Sequence, residues 1–302
     1  MTRRTAARPA LHKRLWGLLL VSPWLLGLLL FKLTPILASL GLSFTNTFLL
    51  TPNEAQFVGF KNYLAALTDR SGWTAMWNTL RLALVTIPLQ TGASLFIAGL
   101  LNSRRLVWKD TVRMLFFLPS IIPSAAATFM WQGFIRPGSG WLYTLILGPL
   151  GLGELIRISS RSPTSGLIVL ASLWTIGPGI LIILGAMQGI PPEVREAAIV
   201  DGATRLRRFV SITLPMVSPA VFFSLVLNLT AVFGGAILLD RGRSWNSGLS
   251  SYDNYIYNEL FRNFHLGSAS SLAWLYFVVV MGIVVLLFWS SKFWVYFPDR
   301  EK

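Results

Sequence analysis

The sequence contains no cysteine and only two histidines among its 302 residues. The absence of thiols excludes disulfides, thiolate metal sites, iron–sulfur clusters and cysteine nucleophiles. His12 and His265 are too few for a histidine-rich metal site. Acidic residues are also scarce, with 12 Asp and Glu against 26 Lys and Arg. The composition therefore excludes thiol chemistry and argues against an enzyme built around metal ligands.

Charged residues make up only 13% of the chain, whereas they make up about 25% of a typical soluble domain. Hydrophobic residues make up 54%. Six stretches are long and apolar enough to cross a bilayer. They cover residues 15–44, 82–101, 114–135, 166–190, 218–239 and 269–290. These stretches predict an all-α polytopic membrane protein with six transmembrane helices.

Basic residues concentrate in four segments, 1–14, 102–113, 191–217 and 291–302, which hold more than half of all Lys and Arg. Because cytoplasmic segments of membrane proteins are enriched in Lys and Arg, both termini are predicted to be cytoplasmic. The chain then divides into two cytoplasmic tails, 1–14 and 291–302, and a membrane domain, 15–290, with a cytoplasmic loop at 191–217. The net charge of +14 is interpreted as basic loops facing anionic lipid, not as a nucleic-acid surface. No small-residue cleavage site follows the first apolar run, so it is expected to remain as a span and not to act as a signal peptide.

The six predicted spans contain no Asp, Glu or His, and Lys32 is their only charge. Lys32 is placed near the outer end of its span, where its ammonium can reach the interface. Proton-coupled transporters use acidic or His relays inside the membrane, and intramembrane proteases need a catalytic constellation that is missing here. No Walker A motif occurs either. The spans therefore argue against an ion-coupled secondary transporter and a membrane enzyme, and any ATP-driven transport would need another chain.

The predicted cytoplasmic loop 191–217 has the pattern of two short helices. Pro191 and Pro192 favour a helix start, and Gly202 can end that helix in a left-handed conformation. A second helix is expected up to Pro215, which is predicted to block its continuation. An amphipathic segment on the membrane surface and a helix-turn-helix DNA reader have a similar pattern. The loop has no third helix to build a core, which argues against DNA binding.

This loop resembles the EAA motif of bacterial ABC importer permeases. The matching residues are Glu196, Ala197, Ala198, Asp201, Gly202, Ala203, Phe209, Ile212, Leu214 and Pro215. In that family the loop forms a coupling helix that docks in a groove of the ATPase subunit and transmits nucleotide-driven closure to the spans. The resemblance implies this role for Glu196, Ala197, Ala198, Asp201, Gly202 and Ala203.

The resemblance extends over nearly the whole chain. The segments that carry it are Trp24–Phe44, Phe57–Tyr63, Trp77–Leu80, Leu118-Pro119 with Pro123, Tyr255–Phe261 and Gly267–Leu272. They are similar to carbohydrate-uptake permeases such as the MalF and UgpA subunits. One departure is Leu239–Trp245, which stands where that family often has Thr-Gly-Gly-Pro.

Membership in that family implies a type I importer (MetI/MalF-like) permease fold in the bacterial inner membrane. It implies as partners a second homologous permease or a copy of this chain, two ATPase subunits and an extracytoplasmic solute-binding protein. ATP and Mg would bind to the ATPase subunits, and this chain would hold no cofactor and catalyse no covalent reaction. The implied substrate is a carbohydrate. A neutral oligosaccharide is favoured over glycerol phosphate, because the mid-membrane faces carry no clear basic cluster. A polyol is the open alternative.

Candidate substrate-binding residues lie in the fifth and fourth predicted spans. In the fifth, Ser224, Asn228 and Ala231 share one helix face. Asn228 either contacts a sugar, as the resemblance to the maltose subunit implies, or makes an interhelical hydrogen bond. The same resemblance suggests three residues of the fourth span: Ser172, Thr175 and Gly179. There, Gly177-Pro178-Gly179 is expected to kink the helix and open a cavity. Four further residues are interpreted as helix contacts: Gln90, Gln132, Gly185 and Gly189.

Overall fold

A computed structural model describes residues 8–103, 108–135, 140–151, 172–234 and 251–296. In these ranges the chain forms α-helices, short π and 3-10 turns, and isolated β-bridges. The helices are α1 (Arg8–Leu28), α2 (Thr34–Ser43), α3 (Lys61–Thr68), α4 (Arg70–Leu101), α5 (Lys109–Ile121), α6 (Ser124–Ile135), α7 (Gly177–Gln188), α8 (Pro192–Val200), α9 (Arg205–Arg208), α10 (Leu214–Phe233), α11 (Tyr252–Phe261) and α12 (Leu266–Trp294). The predicted all-helical class is confirmed.

Four helical segments in the described ranges are long and apolar enough to cross a membrane. They are Leu19–Ser43, Arg70–Leu101, Arg205–Phe233 and Leu266–Trp294. They coincide with the first, second, fifth and sixth predicted spans. The chain is therefore an all-helical polytopic membrane protein. The third and fourth predicted spans differ from single long helices.

The third predicted span, 114–135, is broken into two helices. Helix α5 ends at Ile121 and α6 begins at Ser124, and Ile122 between them is extended, with ψ of 126°. The cause is Pro123, because a proline ring disfavours the helical conformation of the residue before it. The prediction of one continuous helix is wrong here.

The fourth predicted span, 166–190, is described from residue 172 onward. Leu173–Thr175 form a 3-10 turn, and the shorter apolar helix α7 begins at Gly177. Pro178 lies in the first turn of α7, where a missing N–H breaks no helical hydrogen bond. The segment Gly177-Pro178-Gly179 therefore starts a helix, and the interruption of the predicted span lies directly before it, at residues 173–176.

The second helix of the predicted cytoplasmic loop does not stop at Pro215. Helix α9 runs through a π turn, Phe209–Thr213, directly into α10. The N–H of Leu214 donates to the carbonyl of Phe209, five residues back. This wider turn accommodates the proline ring that would clash in a regular helix. The predicted stop is therefore wrong, and residues 235–239 of this predicted span lie outside the described ranges.

The chain divides into two compact units, one formed by residues 1–69 and 256–275 and the other by residues 70–255 and 276–302. In the first, the segment 57–63 forms an ordered turn. In this segment the Phe60 ring packs edge-to-face on the Phe44 ring, with centroids 5.3 Å apart. The Asn62 amide donates to the carbonyls of Ser43 and Thr45, at 2.9 and 2.7 Å.

The second unit is built around α4, α7 and α10, which pack on one another. Its core consists of buried apolar side chains from these helices and the residues beside them: Ala98, Leu101, Ile176, Ile180, Ile183, Leu184, Met187, Ile190 and Val217. This core lies directly beside the predicted cytoplasmic loop along the sequence, because α8 follows α7 after only three residues.

Candidate coupling loop and polar cluster

Helix α8 forms the first half of the predicted cytoplasmic loop. It begins at Pro192, as the proline pair predicts, with the extended Pro191 before it. Glu193 lies in its first turn, where a negative charge interacts favourably with the helix dipole. The loop therefore presents a short, separately started helix of nine residues.

The end of α8 has the hydrogen bonds of a Schellman motif. Gly202 has φ of +73°. Its N–H donates to the carbonyl of Ile199, and the N–H of Ala203 donates to the carbonyl of Ala198, both at 3.0 Å. A glycine adopts this left-handed conformation without the steric cost that a Cβ brings. The predicted helix end at Gly202 is confirmed.

The six residues predicted to couple differ in accessibility. Glu196, Ala197, Asp201 and Gly202 are exposed, Ala203 is half-buried, and Ala198 is only 7% exposed. Ala198 therefore packs against the rest of the chain and holds the loop. The other residues are accessible from outside.

Three apolar side chains of the same loop are more exposed than the sequence analysis recognised. Val200 is 87% exposed, Leu206 is 73% exposed and Ile199 is 56% exposed. We name them the apolar loop residues. Their signal in the sequence is weak, because they are not among the residues that match the motif. Exposed apolar side chains beside a capped helix favour a protein partner over water.

Polar side chains converge where the fourth predicted span is broken. Gln90 donates from Nε2 to the carbonyl of Ser172 at 2.7 Å, and Ser94 Oγ donates to the carbonyl of Ile176 at 3.4 Å. Backbone groups freed from a helix inside a membrane need such partners, because no water is available there. The break before α7 is therefore held by side chains of α4.

Asn228 lies in the same region and makes the interhelical bond that one alternative predicted. Its Nδ2 donates to Thr91 Oγ1 at 3.0 Å. Thr91 is buried, whereas Asn228 is half-buried. We define Gln90, Thr91, Ser94, Ser172, Ser224 and Asn228 as the polar cluster.

Gly179 and Ser224 form a tight helix contact inside this cluster. A Cβ on Gly179 would lie 2.8 Å from Ser94 Oγ and 2.9 Å from Ser224 Oγ. Ser224 is completely buried, and its Oγ has no hydrogen-bond partner within the described ranges. By contrast, Thr175 and Ala231 are exposed and Ser172 is half-buried. The predicted substrate residues thus separate into a packed pair and an accessible group.

The remaining candidates are placed as follows. The Trp174 ring packs edge-to-face on Trp131, with centroids 5.6 Å apart. A Cβ on Gly185 would have nothing within 4 Å, so Gly185 makes no close helix contact within the described chain. The side chain of Gln132 and the segment Leu239–Trp245 lie outside the described residues.

The chain matches known transport proteins over most of its length. The family described as binding-protein-dependent transport system inner membrane component matches residues 90–297. The probable ABC transporter permease protein YesP of Bacillus subtilis is 35% identical, over 95% of this chain and 93% of YesP. The trehalose transport system permease protein SugA of Mycobacterium tuberculosis is 31% identical, over 94% of this chain and 89% of SugA.

A solved structure shares the fold. It is a bacterial alginate ABC transporter in complex with an alginate pentasaccharide-bound periplasmic protein. One of its chains has a TM-score of 0.75 and 21% identity, over 93% of this chain and 95% of that chain. The chain studied here therefore belongs to the binding-protein-dependent transport system inner membrane component family, as a multi-pass, non-catalytic permease subunit of an ABC transporter.

Proposed function

We propose that this chain is the translocation subunit of an ATP-driven importer of a neutral oligosaccharide. The observation that carries the proposal is the capped helix α8, which presents Glu196, Ala197 and Asp201 beside the apolar loop residues. Such a surface suits a groove on an ATPase subunit. ATP and Mg would act in that subunit, since this chain supplies no Walker A motif.

The proposed assembly contains four kinds of component besides lipid. This chain pairs with a second homologous permease or with a copy of itself, two ATPase subunits bind the cytoplasmic side, and a solute-binding protein delivers the substrate outside. The broken helices at 114–135 and 166–190 complete six membrane passages within 15–290. The tails 1–14 and 291–302 and the loop 191–217 then face the cytoplasm, as their basic residues favour.

The neutral substrate is supported by the chemistry of the polar cluster. Its accessible members offer amide, hydroxyl and backbone carbonyl groups, and no charged side chain is buried within the described ranges. A sugar hydroxyl both donates and accepts hydrogen bonds, which suits these groups. An anionic substrate would need a cation, because an unpaired buried charge is costly. We assign substrate contact to Asn228, Thr175, Ala231 and Ser172, and packing to Gly179 and Ser224.

Reconstitution with the proteins encoded beside this chain tests the function. The complex is placed in proteoliposomes, and ATP hydrolysis is measured with the binding protein and either trehalose, a longer maltose-type oligosaccharide or glycerol 3-phosphate. Stimulation by a neutral sugar is expected. Stimulation by the phosphate ester alone would contradict the neutral class, and sugar uptake that is driven by an ion gradient without the ATPase subunits would contradict the proposed assembly.

A matched pair of variants tests the site. Asn228→Leu removes the amide that faces the cluster, and it is expected to lower sugar uptake at low substrate concentration. Thr230→Val is the control, because Thr230 is exposed on the same helix and its hydroxyl bonds to its own helix at Leu227. Equal uptake by the two variants would show that Asn228 has no part in substrate binding.

A further inference from the structure

The carbonyl of Met187, near the end of α7, cannot receive the usual helical hydrogen bond, because the residue four positions later is Pro191. Helix α7 ends at Gln188, and the prolines 191 and 192 follow. In a continuing helix the carbonyl of Met187 would accept a bond from the N–H of residue 191. A proline has no N–H to give. Met187 is only 1% exposed, so its carbonyl needs a donor from elsewhere in the protein.

Arg195 supplies that donor from the neighbouring helix. Its Nη2 donates to the carbonyl of Met187. Arg195 is half-buried, whereas Arg205 and Arg207 of the same loop are exposed. A cation at a helix C-terminus also interacts favourably with the helix dipole, and a charged donor makes a stronger hydrogen bond than a neutral one. Arg195 therefore belongs to α8 and caps α7.

Helix α7 is held closely along the rest of its length. Ile180 and Ile183 lie in the core with Met187. At the other end, a Cβ on Gly177 would lie 2.3 Å from the Phe116 carbonyl oxygen, and Gly179 contacts the polar cluster. Twelve residues at a rise of 1.5 Å each give a rod about 18 Å long. One end of this rod is the Arg195 bond, and the other is the polar cluster.

We propose that Arg195 is a positioning residue that transmits movement of α8 to α7 and, through α7, to the polar cluster. The inference rests on the proposed function, because it takes α8 as the helix that an ATPase subunit moves. Between α7 and α8 the backbone runs only through Gly189, Ile190 and Pro191. Gly189 is exposed and flexible by its nature. The Arg195 bond closes this short connection, so the two helices move together.

The test uses the complete complex in proteoliposomes, with the chain carrying Arg195→Met or Arg195→Lys. Methionine keeps the long stem and loses every donor, whereas lysine keeps the charge and one donor group. The readouts are ATPase co-purification, basal ATP hydrolysis, hydrolysis stimulated by loaded binding protein, and sugar uptake. Arg195→Met is expected to retain the ATPase and its basal activity. Its stimulated uptake is expected to fall about tenfold, the equivalent of about 1.4 kcal/mol, and Arg195→Lys should fall less.

Two results would overturn the inference. Full stimulated uptake by Arg195→Met would show that the bond transmits nothing. Loss of ATPase co-purification in Arg195→Met, with recovery in Arg195→Lys, would make Arg195 a docking charge instead.

Hydrogen exchange separates this inference from the function on which it rests. In the wild-type complex, ATP is expected to change amide exchange in α7, and Arg195→Met should abolish that change. A wild-type complex that no sugar stimulates would contradict the proposed function. Even then, an ATP-dependent change in α7 that is identical in wild type and Arg195→Met would overturn the role of Arg195.

Discussion

Gly202 differs from Gly185, another exposed glycine, in its backbone conformation and not in the space around it. Neither Gly202 nor Gly185 has an atom within 4 Å of an added Cβ, but only Gly202 has a positive φ. Gly202→Ala is therefore expected to destabilise the chain by about 1 kcal/mol. Gly185→Ala, in the helix α7, is expected to stabilise it by about 0.5–1 kcal/mol. Thermal unfolding of the two purified variants measures both effects, and shifts of the same sign would contradict the conformational argument.

Local rules explain why some residues of the site were predictable from sequence. The helix start at Pro192 and the helix end at Gly202 depend on a few neighbouring residues. The hydrogen-bond partner of Asn228 does not depend on neighbouring residues, because Thr91 lies 137 positions away in the sequence. The inward position of Ala198 likewise depends on the packing of the whole loop. The motif therefore marked the loop proposed to couple, but it could not separate the exposed residues of that loop from the buried Ala198.

At the scale of helices, prolines had opposite effects: Pro88 lies inside the continuous helix α4, whereas the third predicted span breaks before Pro123. Pro35 and Pro215 each lie at the second residue of a helix that follows a π turn, and both helices continue. Pro123 has no such turn before it, and the helix breaks at Ile122. Sequence reasoning expected Pro215 to stop a helix and Pro123 to lie inside one, because nothing in the residues marks a π turn. This is why the third and fifth predicted spans differ from the structure in opposite ways.

The packing of α7 predicts unequal effects for substitution of the two glycines on either side of Pro178. A Cβ on Gly177 would meet the backbone carbonyl of Phe116 at 2.3 Å, whereas a Cβ on Gly179 would meet two serine hydroxyls, which can rotate away. Overpacking costs about 1–3 kcal/mol, so Gly177→Ala is expected at the upper end and Gly179→Ala at the lower end. Chemical denaturation of the purified chain checks this order. A larger loss of stability in Gly179→Ala would refute it.

The polar contacts between α4 and the broken fourth span predict a second effect at this scale. Gln90→Leu removes one donor to the Ser172 carbonyl, which the Thr175 hydroxyl also reaches at 3.3 Å. The expected loss is therefore that of one net hydrogen bond, about 0.5–1.5 kcal/mol. Gln188→Leu is the control, because Gln188 is exposed and surface substitutions usually change stability by about 0.5 kcal/mol or less. Denaturation midpoints of the two variants give the comparison. Equal midpoints would mean that the break before α7 does not depend on Gln90.

For the whole molecule, composition and helix periodicity predicted the membrane class and four of the long helices, because hydrophobicity over about 20 residues decides both. They could not predict that α4, α7 and α10 pack around one core, since that arrangement depends on contacts between distant segments. The resemblance at the loop and the match to residues 90–297 supplied the family. The contacts of the polar cluster could be found only from the structure. A polar residue in a span has the same sequence signature in a packing contact and in a binding site.

The absence of cysteine makes the proposed assembly directly measurable by labelling. Val200→Cys places a single thiol on the apolar loop residues, and at 87% exposure Val200 should react rapidly with a maleimide in the isolated chain. Bound ATPase subunits are expected to slow this reaction, since a docked groove covers the loop. Leu50→Cys is the matched control, because Leu50 is 64% exposed. It follows the first predicted span, so in the proposed topology it lies on the side of the membrane opposite the cytoplasmic loop 191–217. Its reaction should not change with the ATPase, and equal protection at both positions, or at neither, would contradict docking through the loop 191–217.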